Sequence, residues 1–520
     1  MTLGGKHASP PAASRPAPWS TFLGQWLVGF VLLFAAIGMW TVATPKYAAP
    51  DEPAQAVKAA GTARLEIGRD VSAPGSPSVL FTIPTTIAAG TNPQCFAFKN
   101  STPASCATPW RYVAGLVANQ SSYVGHYPPL YYFLVGAPSL VTQSANVLLY
   151  MRVVSGLLSA VFLSAAFVLV ARTFRSRWAL LGIGTAITPM VYFLAAVINP
   201  SGLEITSAIC LWAAGGCLVL GAGRVDQRLL ISWGALSASV CVLTRGLSPL
   251  MVVLIGVALV ALAGRDRLRT LVARRDMQVG LAVVVVSGLA AVGWILTEKA
   301  LSVQTSANPV AGEGRREILL QSWRIALKLN EMVGYFGWLD TPMPTWVYVT
   351  WGLLIVALVL LVILQRQVRV VLVLCFVAVC TLAIPTMLAY DQAHKEGIVG
   401  QGRYIMPLAL GLPIIAGLAG SRRLGGKRAH NASRSWAMVT ALAILVVQQT
   451  CFVLALARNR TGIRHSVFVL HAPWEPPVPW LVLILVFPLV QIALAVWCAR
   501  MGAPRREVHD DLPSTTAVMA

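Results

Sequence analysis

Charge is what this sequence has least of. Asp, Glu, Lys and Arg together make up 11% of its 520 residues, against about 25% in an ordinary soluble chain. Acidic residues are scarcest, 19 against 40 Lys and Arg. With 57% hydrophobic residues and a mean hydropathy of +0.70, most of the chain cannot face water. Metal and redox spacings are also missing: the nine cysteines include no CxxC pair, and no His-rich cluster accompanies them. No repeat relates the two halves, as the inverted repeats of many transporters would require. No cleavable signal peptide is expected either, because the apolar run at 22–43 is longer than a signal h-region and reads as an uncleaved first span.

What remains is a succession of apolar runs of about 20 residues, each able to cross a hydrocarbon core of about 30 Å. They fall near 22–43, 147–171, 178–198, 203–221, 229–244, 247–263, 278–297, 345–365, 370–389, 405–420, 435–456 and 479–499. The fold class expected is an all-α polytopic membrane protein of about 12 transmembrane helices. Residues 1–20, rich in Pro, Ala and Ser, and the polar tail 501–520 are expected to be loose; 21–500 form a single transmembrane domain.

The net charge of +21 would suggest nucleic acid in a soluble protein. Its distribution points instead to the membrane. Arg172, Arg175, Arg177, the arginine cluster at 265–275, Arg366, Arg369 and the basic cluster at 422–434 fall in short loops on one side. Cytoplasmic loops collect such residues, so both termini are expected in the cytoplasm. The long segments 44–146 and 298–344, with 390–404 and 457–478, then face outward. The expected location is a bacterial cytoplasmic membrane, and no nucleic-acid partner is expected.

Long loops with structure of their own are usually functional. In the first, 52–69 has helical spacing, with Ala56, Ala60, Ala63, Leu65 and Ile67 along a face that could lie on the membrane. The stretch 131–141 is apolar but too short to span, which suggests an interfacial or re-entrant helix. In the second loop, Ile318, Leu319, Trp323, Ala326, Leu327 and Met332 recur at helical spacing, as in a helix lying on the interface. Seven cysteines sit in or at the ends of apolar runs as small core residues. Cys95 and Cys106 share the first polar loop, where oxidation is allowed, and are expected to form a disulfide.

The polar motifs gather at the outer ends of the spans. Asp51-Glu52 follows the first span; it reads as a general base with a ligand beside it, or as a solvated helix N-terminus favoured by the helix dipole. His126-Tyr127-Pro128-Pro129-Leu130-Tyr131-Tyr132 offers a rigid entry to the next helix. His126 there could bind phosphate or shuttle a proton, or the stretch could be an aromatic interfacial anchor. Asn199-Pro200-Ser201-Gly202-Leu203-Glu204 puts Glu204 at the edge of an apolar helix, where it needs a partner. Arg245 stands alone between two apolar runs; it could snorkel to headgroups or hold a lipid phosphate. Gly400-Gln401-Gly402-Arg403-Tyr404 allows backbone close to an anion. Asp340, in Phe336-Gly337-Trp338-Leu339-Asp340, reads best as a turn residue.

Taken in order, Asp51-Glu52-Pro53-Ala54, the His126–Tyr132 motif, Thr188-Pro189-Met190, Asn199 to Glu204, Phe336 to Asp340 and Gln401-Gly402-Arg403-Tyr404 resemble the bacterial domain-of-unknown-function family 2142 of polytopic membrane proteins. Where that family often carries a His after the acidic pair, this chain has Gln55. The front end also resembles the GT-C superfamily of membrane glycosyltransferases. That resemblance implies an inverting transfer of sugar from a polyprenyl-phosphate donor to an envelope glycan or lipid acceptor. Asp51 and Glu52 would be the catalytic carboxylates, and His126, Arg245, Arg403, Tyr404, Asn199 and Glu204 the donor-phosphate and substrate residues. Two adjacent carboxylates beside a phosphate suit Mg²⁺ or Mn²⁺, although nothing in the sequence demands a metal. The alternatives are a transporter or flippase for a lipid-linked or anionic precursor, which should carry charge at mid-membrane, and a non-catalytic subunit of an envelope-assembly complex.

Overall fold

The structure, a computed structural model, describes residues 21–502 apart from 73–75, 89–94, 108–114, 222, 302–309, 311, 399, 424–426 and 464–468. The expected loose N-terminus and all but the start of the tail lie outside these residues. Among the described residues, eight helices are long and apolar enough to cross a membrane, and counting each of two bent pairs as one span gives ten.

The figure of about 12 spans is not reached by length, and the four short segments show why. The expected span 178–198 breaks into Arg177–Ala186 and Pro189–Ala195, bent by 59°. The break falls at Thr188-Pro189, where proline supplies no backbone N–H to the ladder. Gln227–Val242 and Ser248–Ala263 have 16 residues each, a rise of about 24 Å. Ser248–Ala263 then turns by 117° into the arginine-rich helix Arg265–Val272 through Gly264, at φ +72°, a backbone that glycine adopts without strain. The 405–420 segment is a shorter apolar helix, Met406–Gly420.

Pro200–Leu220 is the axis of the bundle, with 94% of its apolar window buried. Val147–Phe174 and Gln227–Val242 pack against it, and Phe22–Ala43 packs in turn on Val147–Phe174. Arg275–Thr297, 17% buried over the same kind of window, lies at the rim. Beneath the first loop, Trp40 packs on Phe193, Phe336 and Phe452 with ring centroids 6.0, 5.0 and 5.3 Å apart. Such pairs add about 0.5–1.5 kcal/mol each beyond their buried area, and these join helices from both ends of the chain.

The first loop differs from its expected form in three ways. Its helix spans Glu52–Ala63 and is buried along its whole length; Ala56, Ala60 and Ala63 pack inside the loop and not on a membrane face. Leu65, at φ 60°, breaks the spacing that suggested a helix to 69. A small antiparallel sheet, Arg69–Asp70, Val79–Pro84 and Val117–Ser122, covers that helix. Val79, Phe81 and Ile83 point inward and Thr82 outward, the period-two pattern of a half-buried strand. Third, 131–141 forms Leu130–Gly136 and Pro138–Val141. Gly136 meets the loop helix so closely that a Cβ there would lie 1.9 Å from the Ala59 carbonyl oxygen. In the second loop the expected helix runs Arg315–Ala326, followed by the short turn Asn330–Val333.

Candidate active site at the head of the first loop

The chain leaves the first span at Thr44, whose hydroxyl donates back to the Trp40 carbonyl at 2.8 Å. It then turns sharply so that Asp51 lies in the left-handed region at φ 62°. Asp and Asn tolerate that conformation better than other side-chain-bearing residues. Pro53 suits the first turn of the helix that follows. The Asp51 side chain makes no capping bond to its own helix, so its carboxylate is free to face elsewhere.

Glu52 fixes this turn from beneath and is fully buried. Arg152 grips it with Nε to Oε1 at 2.7 Å and Nη2 to Oε2 at 2.6 Å, and the Ile198 N–H donates to Oε1 at 3.0 Å. The same guanidinium donates to the carbonyls of Thr44 and Pro45 at 2.6 and 2.7 Å. Charge taken this deep is tolerable only when paired and fully hydrogen-bonded. Asn199 completes the clamp: its Oδ1 accepts from the Ser201 N–H at 3.0 Å, capping the axial helix, and its Nδ2 donates to the Pro50 carbonyl at 3.2 Å.

Above the clamp, Asp51 joins three parts of the chain. Its Oδ1 accepts from the Tyr123 hydroxyl at 2.8 Å, and its Oδ2 pairs with Arg403 Nη2. Burial, then the neighbouring Asp51 carboxylate, pushes the Tyr123 phenol well up, so it stays a proton donor. Arg403 is 4% exposed, yet its Nε and Nη1 have no hydrogen-bond partner among the described residues. Arg403 borders a cleft lined also by Pro50, Phe193, Glu331, Tyr335 and Gln401. Glu331 Oε2 accepts from the Gly402 N–H at 2.7 Å and so holds the Arg403 turn in place.

Tyr404 carries both arginines: the Arg245 guanidinium lies 4.7 Å and that of Arg403 5.3 Å from its ring centroid. Arg245 Nη1 reaches Ser201 Oγ at 3.1 Å and Glu204 Oε2 at 3.3 Å. Glu204 is fully paired, since Ser248 Oγ donates to its Oε1 at 2.7 Å. The partner that its membrane-edge position requires is therefore Arg245. Tyr127 also faces this cluster, beside Arg245.

The structure brings together Asp51, Arg403, Tyr404, Arg245 and Glu204. It does not bring His126 to them. The His126 ring faces Ser72, with Nε2 3.4 Å from the hydroxyl, and Glu298, 4.0 Å from Nδ1. The adjacent Tyr127 takes its place. Glu52 is held apart from the cleft by Arg152, so the adjacent carboxylates do not face one ligand. Among the described residues no three His, Cys, Asp or Glu side chains converge, and of the pair only Asp51 has a partly exposed carboxylate. That donor set does not fit a divalent cation held between Asp51 and Glu52. Cys95 and Cys106 are bonded, Cα atoms 5.9 Å apart. Asp340 binds Arg458 Nη2 at 2.5 Å, and Arg458 also donates to the Phe96 and Thr102 carbonyls at 2.8 and 3.2 Å. Asp340 thus anchors the cysteine loop as well as its own turn.

Arg152, Tyr123 and Tyr127 escaped the sequence reading. Arg152 had a signal: it is a lone charge one turn inside the 147–171 run, and such residues need partners. Tyr123 had none, because its role depends on where the sheet ends.

Residues 33–412 match the family described as predicted membrane protein (DUF2142), and the chain belongs to that family. No curated protein matches it. Among solved structures, the crystal structure of ArnT from Cupriavidus metallidurans bound to undecaprenyl phosphate is similar, with a TM-score of 0.40 and 14% identity over 94% of this chain and 77% of that one.

Proposed function

We propose that this DUF2142 protein is an inverting membrane glycosyltransferase, taking a sugar from a polyprenyl-phosphate donor to an envelope glycan or lipid acceptor. The observation that carries the reading is the Asp51–Arg403 pair: a partly exposed carboxylate bonded to a buried guanidinium with unused donors. An inverting transfer needs both groups. Asp51 takes the proton of the acceptor hydroxyl as its oxygen bonds to the anomeric carbon. The bond from that carbon to the phosphate oxygen breaks on the opposite face, and its electron pair leaves with the phosphate. Arg403, with Arg245 behind Tyr404, meets the charge that develops there, and a preorganised donor is worth most where charge appears in the transition state. The phosphate leaves without a general acid.

Glu52, Arg152 and Asn199 position Asp51, and Glu331 positions Arg403. The basic clusters at 265–275 and 422–434 are read as cytoplasmic, a reading in which the chemistry takes place on the extracytoplasmic side.

The test is an assay of the purified full chain with labelled polyprenyl-phospho-sugars and an envelope extract. Label should pass to an acceptor with inverted anomeric configuration. Retention of configuration, or donors left intact across the sugars offered, would contradict the reading.

A further inference from the structure

We infer that Asp51 is a built-in competitor of the lipid phosphate for Arg403, so that the resting site is charge-balanced and the phosphate binds only by displacing a carboxylate. The inference rests on the glycosyltransfer reading above and concerns how its site is switched.

Charge at the site supplies the first argument. The two guanidinium groups on Tyr404 are each matched by a carboxylate, Arg403 by Asp51 and Arg245 by Glu204. Glu331, which accepts from the Gly402 N–H, is matched in turn by Lys328 Nζ at 3.9 Å. A phosphate entering the cleft meets no net attraction from these side chains while both pairs are closed.

The pairs are not equivalent. Glu204 is 1% exposed and also takes the Ser248 hydroxyl, so it is locked. Asp51 has a side chain 27% exposed and a second partner, Tyr123, ready to keep it when Arg403 turns away.

A purely structural role fits Arg403 poorly. Arg152 shows what a structural arginine looks like in this protein: Nε, Nη1 and Nη2 all donate. Arg403, equally buried, leaves Nε and Nη1 without partners beside a cleft. Buried donors left unpaired are costly, and a phosphate oxygen would satisfy them. The exchange has two consequences. Displacing Asp51 from Arg403 frees Oδ2 toward an incoming hydroxyl, so donor binding readies the base. After transfer, Asp51 reclaims Arg403 and helps the spent lipid phosphate leave.

The experiment is a binding titration of undecaprenyl phosphate to the full chain in lipid nanodiscs. It compares wild type with Asp51→Asn, Arg403→Gln and the double variant. Asn keeps the left-handed backbone; Asp51→Gly, which also adopts it, is the second variant should Asn impair folding. Removing a like charge a few ångströms from the phosphate should tighten binding on the order of ten-fold at an interfacial effective dielectric. That gain should vanish in the Arg403→Gln background, because the competition is for Arg403. Undecaprenol, lacking phosphate, should show no gain, and inorganic phosphate should show the same gain at weaker affinity. Unchanged or weaker binding by Asp51→Asn, with Arg403→Gln still impaired, overturns the competition and leaves the phosphate reading standing. Wild-type affinity in Arg403→Gln overturns both. An equal gain for undecaprenol, or a gain for inorganic phosphate with none for undecaprenyl phosphate, also overturns the competition.

Discussion

The proposed base, Asp51, is set apart from its neighbour Glu52 by environment. The two carboxylates share a motif but not an environment: one is partly exposed on a left-handed turn, the other closed on Arg152. Removing Arg152 should show this division. Arg152→Ala leaves Glu52 buried and unpaired, which costs about 3–5 kcal/mol; thermal unfolding should fall accordingly, and Glu52→Gln alone should fall less because the arginine keeps its carbonyl acceptors. Lys58 yields a pH prediction outside the site. Burial pushes its ammonium down to about 8 from an ordinary value of 10.5, partly opposed by the Glu298 charge. A base whose folded pKa is lowered binds fewer protons folded than unfolded between those values, so stability rises with pH through that window. The full penalty, up to about 3 kcal/mol, applies below pH 8. Hydrogen exchange of the loop helix should slow from pH 8 to 10.5 after correction for intrinsic rates, and Lys58→Met should abolish the trend. At this scale the sequence singled out Asp51, Arg245, Glu204 and Arg403, because charge beside an apolar run stands out, and Tyr404 through the glycine-containing turn it shares with Arg403. It misjudged His126 because a motif does not say which way its ring turns: Tyr127, one residue on, faces the cluster.

Among elements, the helix Glu52–Ala63 does the most to place the site. It is held by the sheet above, Leu130–Gly136 beside it and the Arg152 clamp at its start. Its burial was hidden in the sequence because small alanines read equally well as a membrane-facing stripe or as a packing surface. The cysteine loop is a second fastening. The disulfide closes 11 residues of separation, and Arg458 ties the same loop to Asp340. Closing so short a loop is worth about 3 kcal/mol. The Cys95→Ser, Cys106→Ser double variant should therefore keep its helical content but expose the first loop to protease at lower temperature. Equal protease resistance with and without the bridge would mean that Arg458 alone suffices. The sheet was not read from the sequence, because Leu80 between Val79 and Phe81 blurs the alternation that burial shows; its pairing with Val117–Ser122 joins strands far apart in sequence and is set by tertiary contact.

For the whole molecule, apolar run length gave the membrane class, but it did not separate full spans from helices of 16 residues or from the run broken at Pro189. Charge predicts an orientation: a reporter fused after Ala520 should be cytoplasmic and one inserted near Ser101 extracytoplasmic, and the reverse pattern would put the Asp51 site on the wrong face for an envelope acceptor. The central claim is that this assembled site transfers sugar through Asp51. The most direct measurement is single-turnover transfer from a labelled polyprenyl-phospho-sugar by reconstituted wild type and Asp51→Asn at saturating donor. General-base catalysis contributes roughly 10²- to 10⁴-fold, so Asp51→Asn should transfer more slowly by about that factor while still binding undecaprenyl phosphate. Transfer by Asp51→Asn at the wild-type rate would contradict the account.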